Sequence, residues 1–163
     1  MIDVEALKQK LGLVPLSFEG GFYRETHRSP RMLQLPDYPE EKAFSTAIYY
    51  LLTPETFSWM HRLRSPEIYH FYLGDPVELL LLFPNQTSER VILGPDLMNG
   101  QTVQKVVPEG VWQGSRVIEG GRFALMGTTM APGFDITDFE ASPAEPLIQG
   151  WPGQDALIRA LCR

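Results

Sequence analysis

The sequence predicts an all-β domain, a barrel or sandwich, with helices confined to its two ends. Between Gly20 and Phe139 the chain is a succession of short segments rich in Val, Ile, Thr, Tyr and Phe, residues that suit a pleated, half-buried surface. Turn chemistry separates them in "LGDP" (73–76), "FPNQTS" (83–88), "GPDLMNG" (94–100) and "PEG" (108–110). Apolar residues at helical spacing occur only before and after this region.

Residues 1–12, "MIDVEALKQKLG", predict a short amphipathic helix. Val4, Leu7 and Leu11 share one face, Asp3 is a good N-cap, and Gly12 supplies a C-terminal stop. The barrel, residues 20–140, is expected from ten strand candidates. In order they are "FYRETHRS", "FSTAIYYLL", "TFSWMHRL", "EIYHFYL", "VELLLLF", "ERVILG", "QTVQKVV", "GVWQGSRV", "RFALMGTTM" and "DITDFEA". The tail, 142–163, places Ser142 and Glu145 in capping-box spacing with Pro143 at the first helical position. Pro146 and Pro152 keep that helix short, and Leu157, Ile158 and Leu161 predict a last turn or two docked on the outside. No repeat, low-complexity tract or linker interrupts the chain, so 1–163 reads as one domain.

Composition narrows the function classes. Hydrophobic residues make up 44% and charged residues 21% of 163 residues, ordinary globular usage. The net charge is −6 and no basic cluster stands out, so neither a nucleic-acid polymer nor an anionic membrane is an expected partner. Cys162 is the only cysteine, which excludes an intrachain disulfide and a cysteine zinc cage and suits a reducing cytoplasm, the expected location. Charged residues break up the N-terminal apolar positions, unlike a signal peptide. The run "LLLLF" (79–83) is far short of the ~20 residues of a spanning helix.

Strand alternation assigns faces. Phe57, Trp59, His61 and Leu63 fall on one side, expected to face inward, with Ser58, Met60, Arg62 and Arg64 on the other. In "EIYHFYL" the set Glu67, Tyr69, Phe71, Leu73 and the set Ile68, His70, Tyr72 are both apolar, so alternation leaves that strand open. If Glu67 joins His61 inside, an imidazole and a carboxylate share an aromatic-lined cavity, an arrangement that perturbs pKa values and prepares acid/base chemistry. The plainer alternative is a hydrogen-bonded core histidine with Glu67 on a surface turn.

These residues resemble the cupin superfamily, whose first motif has the form G-x5-H-x-H-x3-E-x6-G and second the form G-x5-P-x-G-x2-H-x3-N. His61, Glu67 and Gly74 keep the first spacing, with Leu63 in the second histidine position and Glu55 in the leading glycine position. Pro108 and Gly110 keep part of the second, where Thr102, Gln113 and Val117 replace the glycine, histidine and asparagine. "GGFYRET", "HRLRSPEIYHFYLGDPVELLLL", "VVPEGVWQG" and "APGFDITDFE" together resemble the fifth cupin family, small proteins with a domain of unknown function. The resemblance implies an RmlC-like double-stranded β-helix, or jelly roll, usually dimeric, so a homodimer is expected. It implies no particular reaction.

Cupin metals typically take three histidines and a glutamate. Here only His61 and Glu67 are strong donors, Leu63 cannot ligate, and Gln113 offers a neutral amide, so no cofactor is expected; the alternative is a divalent metal on His61, Glu67 and Gln113. The expected pocket is lined by Trp59, His61, Glu67, Tyr69, Trp112 or Gln113, with Tyr23 and Glu25 from "GGFYRET" and His70 as a further candidate. His61 is the expected acid/base, oriented by Glu67 or Glu25, with a tyrosine such as Tyr23 as proton donor. Three functions fit these residues. They are a metal-independent barrel that binds a small polar, sugar-like or nucleotide-sugar-like molecule and isomerises it, a metal-dependent cupin enzyme with a reduced ligand set, and a binding or sensing protein without turnover.

Overall fold

Asp3 caps the first helix as its position requires. Its Oδ1 accepts from the backbone N–H of Glu5 (2.9 Å) and Ala6 (3.3 Å), and Gly12 closes the helix with φ 64°. A computed structural model describes residues 2–163; Met1, the first residue of the predicted helical segment, lies outside the described residues. Helix α1 is Val4–Leu11, followed by β1 (Val14–Pro15), β2 (Phe22–Arg28), β3 (Met32–Leu33), β4 (Lys42–Ala43), β5 (Thr46–Leu52), β6 (Ser58–Arg62) and β7 (Glu67–Gly74). Then come β8 (Val77–Leu82), β9 (Ser88–Leu93), β10 (Gln104–Val107), β11 (Trp112–Val117), β12 (Ala124–Met130), β13 (Glu140–Ala141), α2 (Ala144–Gly150) and α3 (Asp155–Leu161).

Two antiparallel sheets form the jelly roll, in the orders β1-β2-β5-β12-β7-β10 and β13-β6-β11-β8-β9. Their inner faces meet in one core, with Tyr50, Tyr69, Phe71 and Met126 from the first sheet and Val77, Leu79, Leu81 and Leu93 from the second. The apolar run of β8 is continuous because both of its faces are covered. Leu79 and Leu81 point into the barrel, whereas Leu80 and Leu82 pack outside against Leu147, Leu157, Ile158 and Leu161 of α2 and α3. Helix α1 covers the outside of the other sheet, setting Val4, Leu7 and Leu11 on Leu51, Phe123 and Leu125. Gly74, the last motif glycine, turns the chain from β7 to β8 at φ 104°, where a Cβ would collide with the Phe123 carbonyl.

Two predicted elements need correction. "DITDFEA" is mostly not a strand. Asp135 Oδ1 accepts from the N–H (2.9 Å) and hydroxyl (2.7 Å) of Thr137, which winds Ile136–Asp138 into a 3₁₀ turn and leaves only Glu140–Ala141 to pair with β6. The capping box does not form either. Pro143 sits at the cap position rather than inside the helix, Ser142 donates to the Pro143 carbonyl, and Glu145 instead pairs with Arg159 of α3 at 2.9 Å.

Candidate functional site

Packing decides the open question about β7. Glu67, Tyr69 and Phe71 point into the barrel, while Ile68 and His70 lie on the outer face of the sheet. A bulge at Tyr72, which the β12 register skips between Leu73 and Phe71, then sends Leu73 outward against Leu51 and Phe123. Glu67 enters the barrel flanked by β10 and β12, in register with Val107 and Met130. From the opposite sheet Gln113 donates its Nε2 to Glu67 Oε2 at 2.9 Å.

Glu67 is only 8% exposed. Its carboxyl is raised from the ordinary 4.5 to about 7, first because burial strips its water and second because the Glu19 carboxylate is close. His61 and the hydrogen-bonding side chains of Thr128 and Gln113 pull in the opposite direction without cancelling the rise. Glu67 forms part of the wall of a small cavity of about 50 Å³ between the sheets. Tyr23 and Glu25 reach the same cavity from β2, and Leu63, Phe18 and Phe134 supply apolar wall. At the rim Glu25 is held in a two-pronged pair by Arg28, at 3.0 and 2.8 Å.

Glu19 is the residue that sequence reading missed. It precedes Gly20, whose φ of 100° and contact with the Phe57 carbonyl leave no room for a Cβ. Tyr50 fixes this corner by donating to the Gly20 carbonyl at 3.0 Å, and the Trp59 N–H donates to the Glu19 carbonyl at 2.9 Å. The Glu19 side chain then enters the cavity and accepts from Ser58 Oγ at 2.8 Å. The adjacent glycines of "FEGGF" were the available signal, because they allow the sharp approach that carries a surface-type residue inward.

His61 is fully buried and in register with Gln113. Its Nδ1 lies 2.6 Å from the Trp59 carbonyl, which can only accept, so Nδ1 carries the proton. Nε2 is buried without a partner, and the ring stacks on Phe139 at 5.0 Å and 18°. The imidazole therefore sits behind the cavity wall and acts on Glu67 through its field. Tyr69 is likewise buried in the core rather than along the cavity. Desolvation, with the nearby Glu67 and Glu19 carboxylates, holds its hydroxyl well above the usual phenol value.

Besides His61 and Tyr69, three more expected lining residues lie off the cavity, on the outer faces of the sheets. In β6, Trp59 and Met60 oppose the single Gly114 between the registers Gln113↔His61 and Ser115↔Ser58, so alternation is reset within the strand. Ser58 consequently faces inward, and Trp59 turns outward under the Arg163 guanidinium, 4.6 Å from its ring. Trp112 belongs to the outer cluster with α2 and α3 and carries Arg62 at 4.8 Å. His70, on the outer face, hydrogen-bonds to Thr129 Oγ1 (3.0 Å) and Gln104 Nε2 (3.3 Å).

The donors do not fit a cupin metal cage. Among the described residues no group of three or more His, Cys, Asp or Glu is arranged to hold a metal ion. Leu63 contributes only hydrocarbon, and Gln113, whose Nε2 donates to Glu67 while its Oε1 is buried without a partner, offers only a neutral amide oxygen, a weak donor for a transition metal. Among the described residues no helix is long and apolar enough to cross a membrane.

Comparison with known proteins places this architecture. Residues 5–142 match the profile of the cupin superfamily family described as DUF985. An uncharacterized protein of Saccharomyces cerevisiae is 30% identical over 133 residues, 74% of this chain and 66% of that relative, so the match spans just under two thirds of the yeast protein. A hypothetical protein from Leishmania major superposes with a TM-score of 0.90 at 31% identity, over 99% of each chain. A Shewanella oneidensis protein does so at 0.88 and 31%, over 100% of this chain and 99% of its own. A dTDP sugar isomerase from Desulfovibrio desulfuricans shares the fold alone, with a TM-score of 0.57 at 16% identity over 88% of this chain and 94% of its own.

Proposed function

This chain belongs to the cupin superfamily family DUF985, and from that premise we propose that its barrel cavity binds a small polar molecule and exchanges a proton with it through Glu67. One observation carries this. A buried carboxyl poised at about 7 forms part of the wall of a small cavity, and a group that titrates near neutrality both accepts and returns protons efficiently. The acid/base role expected of His61 thus passes to Glu67, with His61 and Gln113 as positioning residues. Tyr23 lines the same cavity and serves as the second proton carrier.

The cavity volume of about 50 Å³ is well below the several hundred Å³ that enclose a whole cofactor-sized ligand. It suits a small molecule, or the reacting end of a longer one, and argues against enclosure of an entire nucleotide sugar.

Incubation in D₂O with a panel of small hydroxylated, amino and carbonyl compounds tests the proposal. Deuterium should enter a carbon position of the accepted compound in the unmodified chain and in His61→Phe at reduced rate, and not in Glu67→Gln. Exchange that persists in Glu67→Gln would sink the role of Glu67. Saturable binding without exchange would leave a binding protein. Stoichiometric divalent metal in protein purified without chelator, lost in His61→Ala, would replace this proposal with the metal-dependent alternative.

A further inference from the structure

We propose that the cavity selects a protonated amine, the ammonium end of a small organic cation held between Glu19 and Glu67 and against the Phe18 and Phe134 rings. This rests on the proposal that the cavity binds a ligand, and it names the charge class of that ligand.

Charge is the first ground. Three carboxylates, Glu19, Glu25 and Glu67, line the cavity, and among the described lining residues there is no Lys, Arg or His. Arg28 offsets Glu25 at the rim, and His61 approaches Glu67 only from behind the wall. The unbalanced pair inside is therefore Glu19 with Glu67. The donors on these acids are hydroxyl and amide groups, Ser58 on Glu19 Oε1 and Gln113 on Glu67 Oε2, with Thr128 also hydrogen-bonding to Glu67. These are neutral groups, and no Lys, Arg or His of the described cavity lining balances the two acids. A phosphate or carboxylate brought between the two acids would meet like charge and drive Glu67 further toward its protonated form, whereas an ammonium favours the ionised form of Glu67 and donates up to three hydrogen bonds. The Glu19 carboxylate is already the second largest cause of the raised Glu67 pKa, a repulsion that a bound cation reverses.

Shape and surface are the second ground, independent of charge. Phe18 and Phe134 both line the cavity with near-parallel rings, 6.0 Å between centroids at 4°. They supply an apolar wall that suits the carbons next to an ammonium group and gives an anion no hydrogen-bond donor. A cavity of about 50 Å³ compares with the ~30 Å³ share of one water in the liquid. It holds an ammonium group with its first carbons, and the remainder of a longer amine must leave past the exposed Glu25 at the rim. Glu67 is buried to more than nine tenths and faces this space, so the site is built rather than a patch of surface acids.

NMR titration of the Ile48 and Met130 methyl groups, both on the cavity wall, tests this with ethylammonium, ethylene glycol and acetate as probes at matched ionic strength. Ethylammonium is expected to shift these methyls saturably, acetate is not, and Glu19→Gln or Glu67→Gln is expected to weaken ethylammonium binding about tenfold or more, the scale of one charge-assisted hydrogen bond. Saturation by ethylene glycol but not by ethylammonium overturns the amine class and leaves the cavity as a binding site. Equal shifts with potassium chloride also overturn it, because simple ion screening would then explain the response. If none of the probes saturates, the binding proposal falls as well. The three probes on the unmodified chain decide these outcomes independently of whether either variant folds.

Discussion

Gln113, in the position of a cupin histidine, donates a 2.9 Å hydrogen bond to Glu67, in the position of the cupin glutamate. The two sequence departures, Leu63 and Gln113, therefore act together. One supplies a hydrocarbon wall and the other donates to the carboxylate, so that where the cupin motifs carry metal-binding side chains this barrel carries a hydrogen-bonded, buried carboxyl raised to about 7.

The Glu67 carboxyl makes stability depend on pH. Its folded value of about 7 lies above the ordinary 4.5, so folding favours the protonated form. The associated stability is full below about pH 4.5 and is lost as pH rises through about 7, an effect on the order of 3 kcal/mol. Urea unfolding across this range should show that loss in the unmodified chain and a flatter profile in Glu67→Gln. Parallel profiles would refute the assignment.

Restoring the missing donors should restore a metal site. The double variant Leu63→His with Gln113→His places two imidazoles beside His61 and Glu67, a donor set that suits divalent transition metals. Elemental analysis after dialysis against nickel or zinc should find stoichiometric metal in the double variant and much less in the unmodified chain. Equal loading of both would contradict the present reading of Leu63 and Gln113.

A buried charge pair ties the β3–β4 hairpin to the 3₁₀ turn. Lys42 Nζ lies 2.9 Å from Asp138 Oδ2, with both side chains 1% exposed. Lys42→Met alone leaves a carboxylate buried without its counter-charge and should cost about 3–5 kcal/mol, while Lys42→Met with Asp138→Leu should recover most of the loss. Chemical denaturation of the two variants checks this. Equal destabilisation in both would argue that the pair contributes packing rather than charge compensation.

Gly20→Ala should damage the site before it damages the barrel. The backbone there has φ 100° and a Cβ would collide with the Phe57 carbonyl, so the corner that inserts Glu19 must move. A left-handed position filled by alanine costs on the order of 1 kcal/mol or more. The Glu67 pKa, followed by ¹³C NMR of its carboxyl, should fall as Glu19 withdraws. An unchanged value would show that Glu19 does not depend on this glycine.

Most of the element order was legible from local chemistry. Asp3 and Gly12 bracket α1, and nine of the ten expected strand segments pair in the two sheets. Glu67 and Gln113 were legible through motif spacing, which depends on the length of chain between turns. Trp59 and Trp112 were misplaced for different reasons. A bulge opposite Gly114 reset the parity of β6, while Trp112 answers to the helices packed on the outer face. Glu19 lay outside every motif, and the adjacent Gly20 and Gly21 were the one local signal of a sharp corner there, without saying which side chain it turns inward.

The sequence by itself determined a β domain flanked by short helices and the pairing of a cupin-like glutamate with an amide instead of a histidine, because turn residues, strand alternation and spacing are properties of adjacent positions. Only the tertiary structure decided which acids share the cavity. Glu19 and Glu67 are 48 positions apart in the chain, and the field between them exists only once the Gly20 corner and β7 are folded against each other with water excluded.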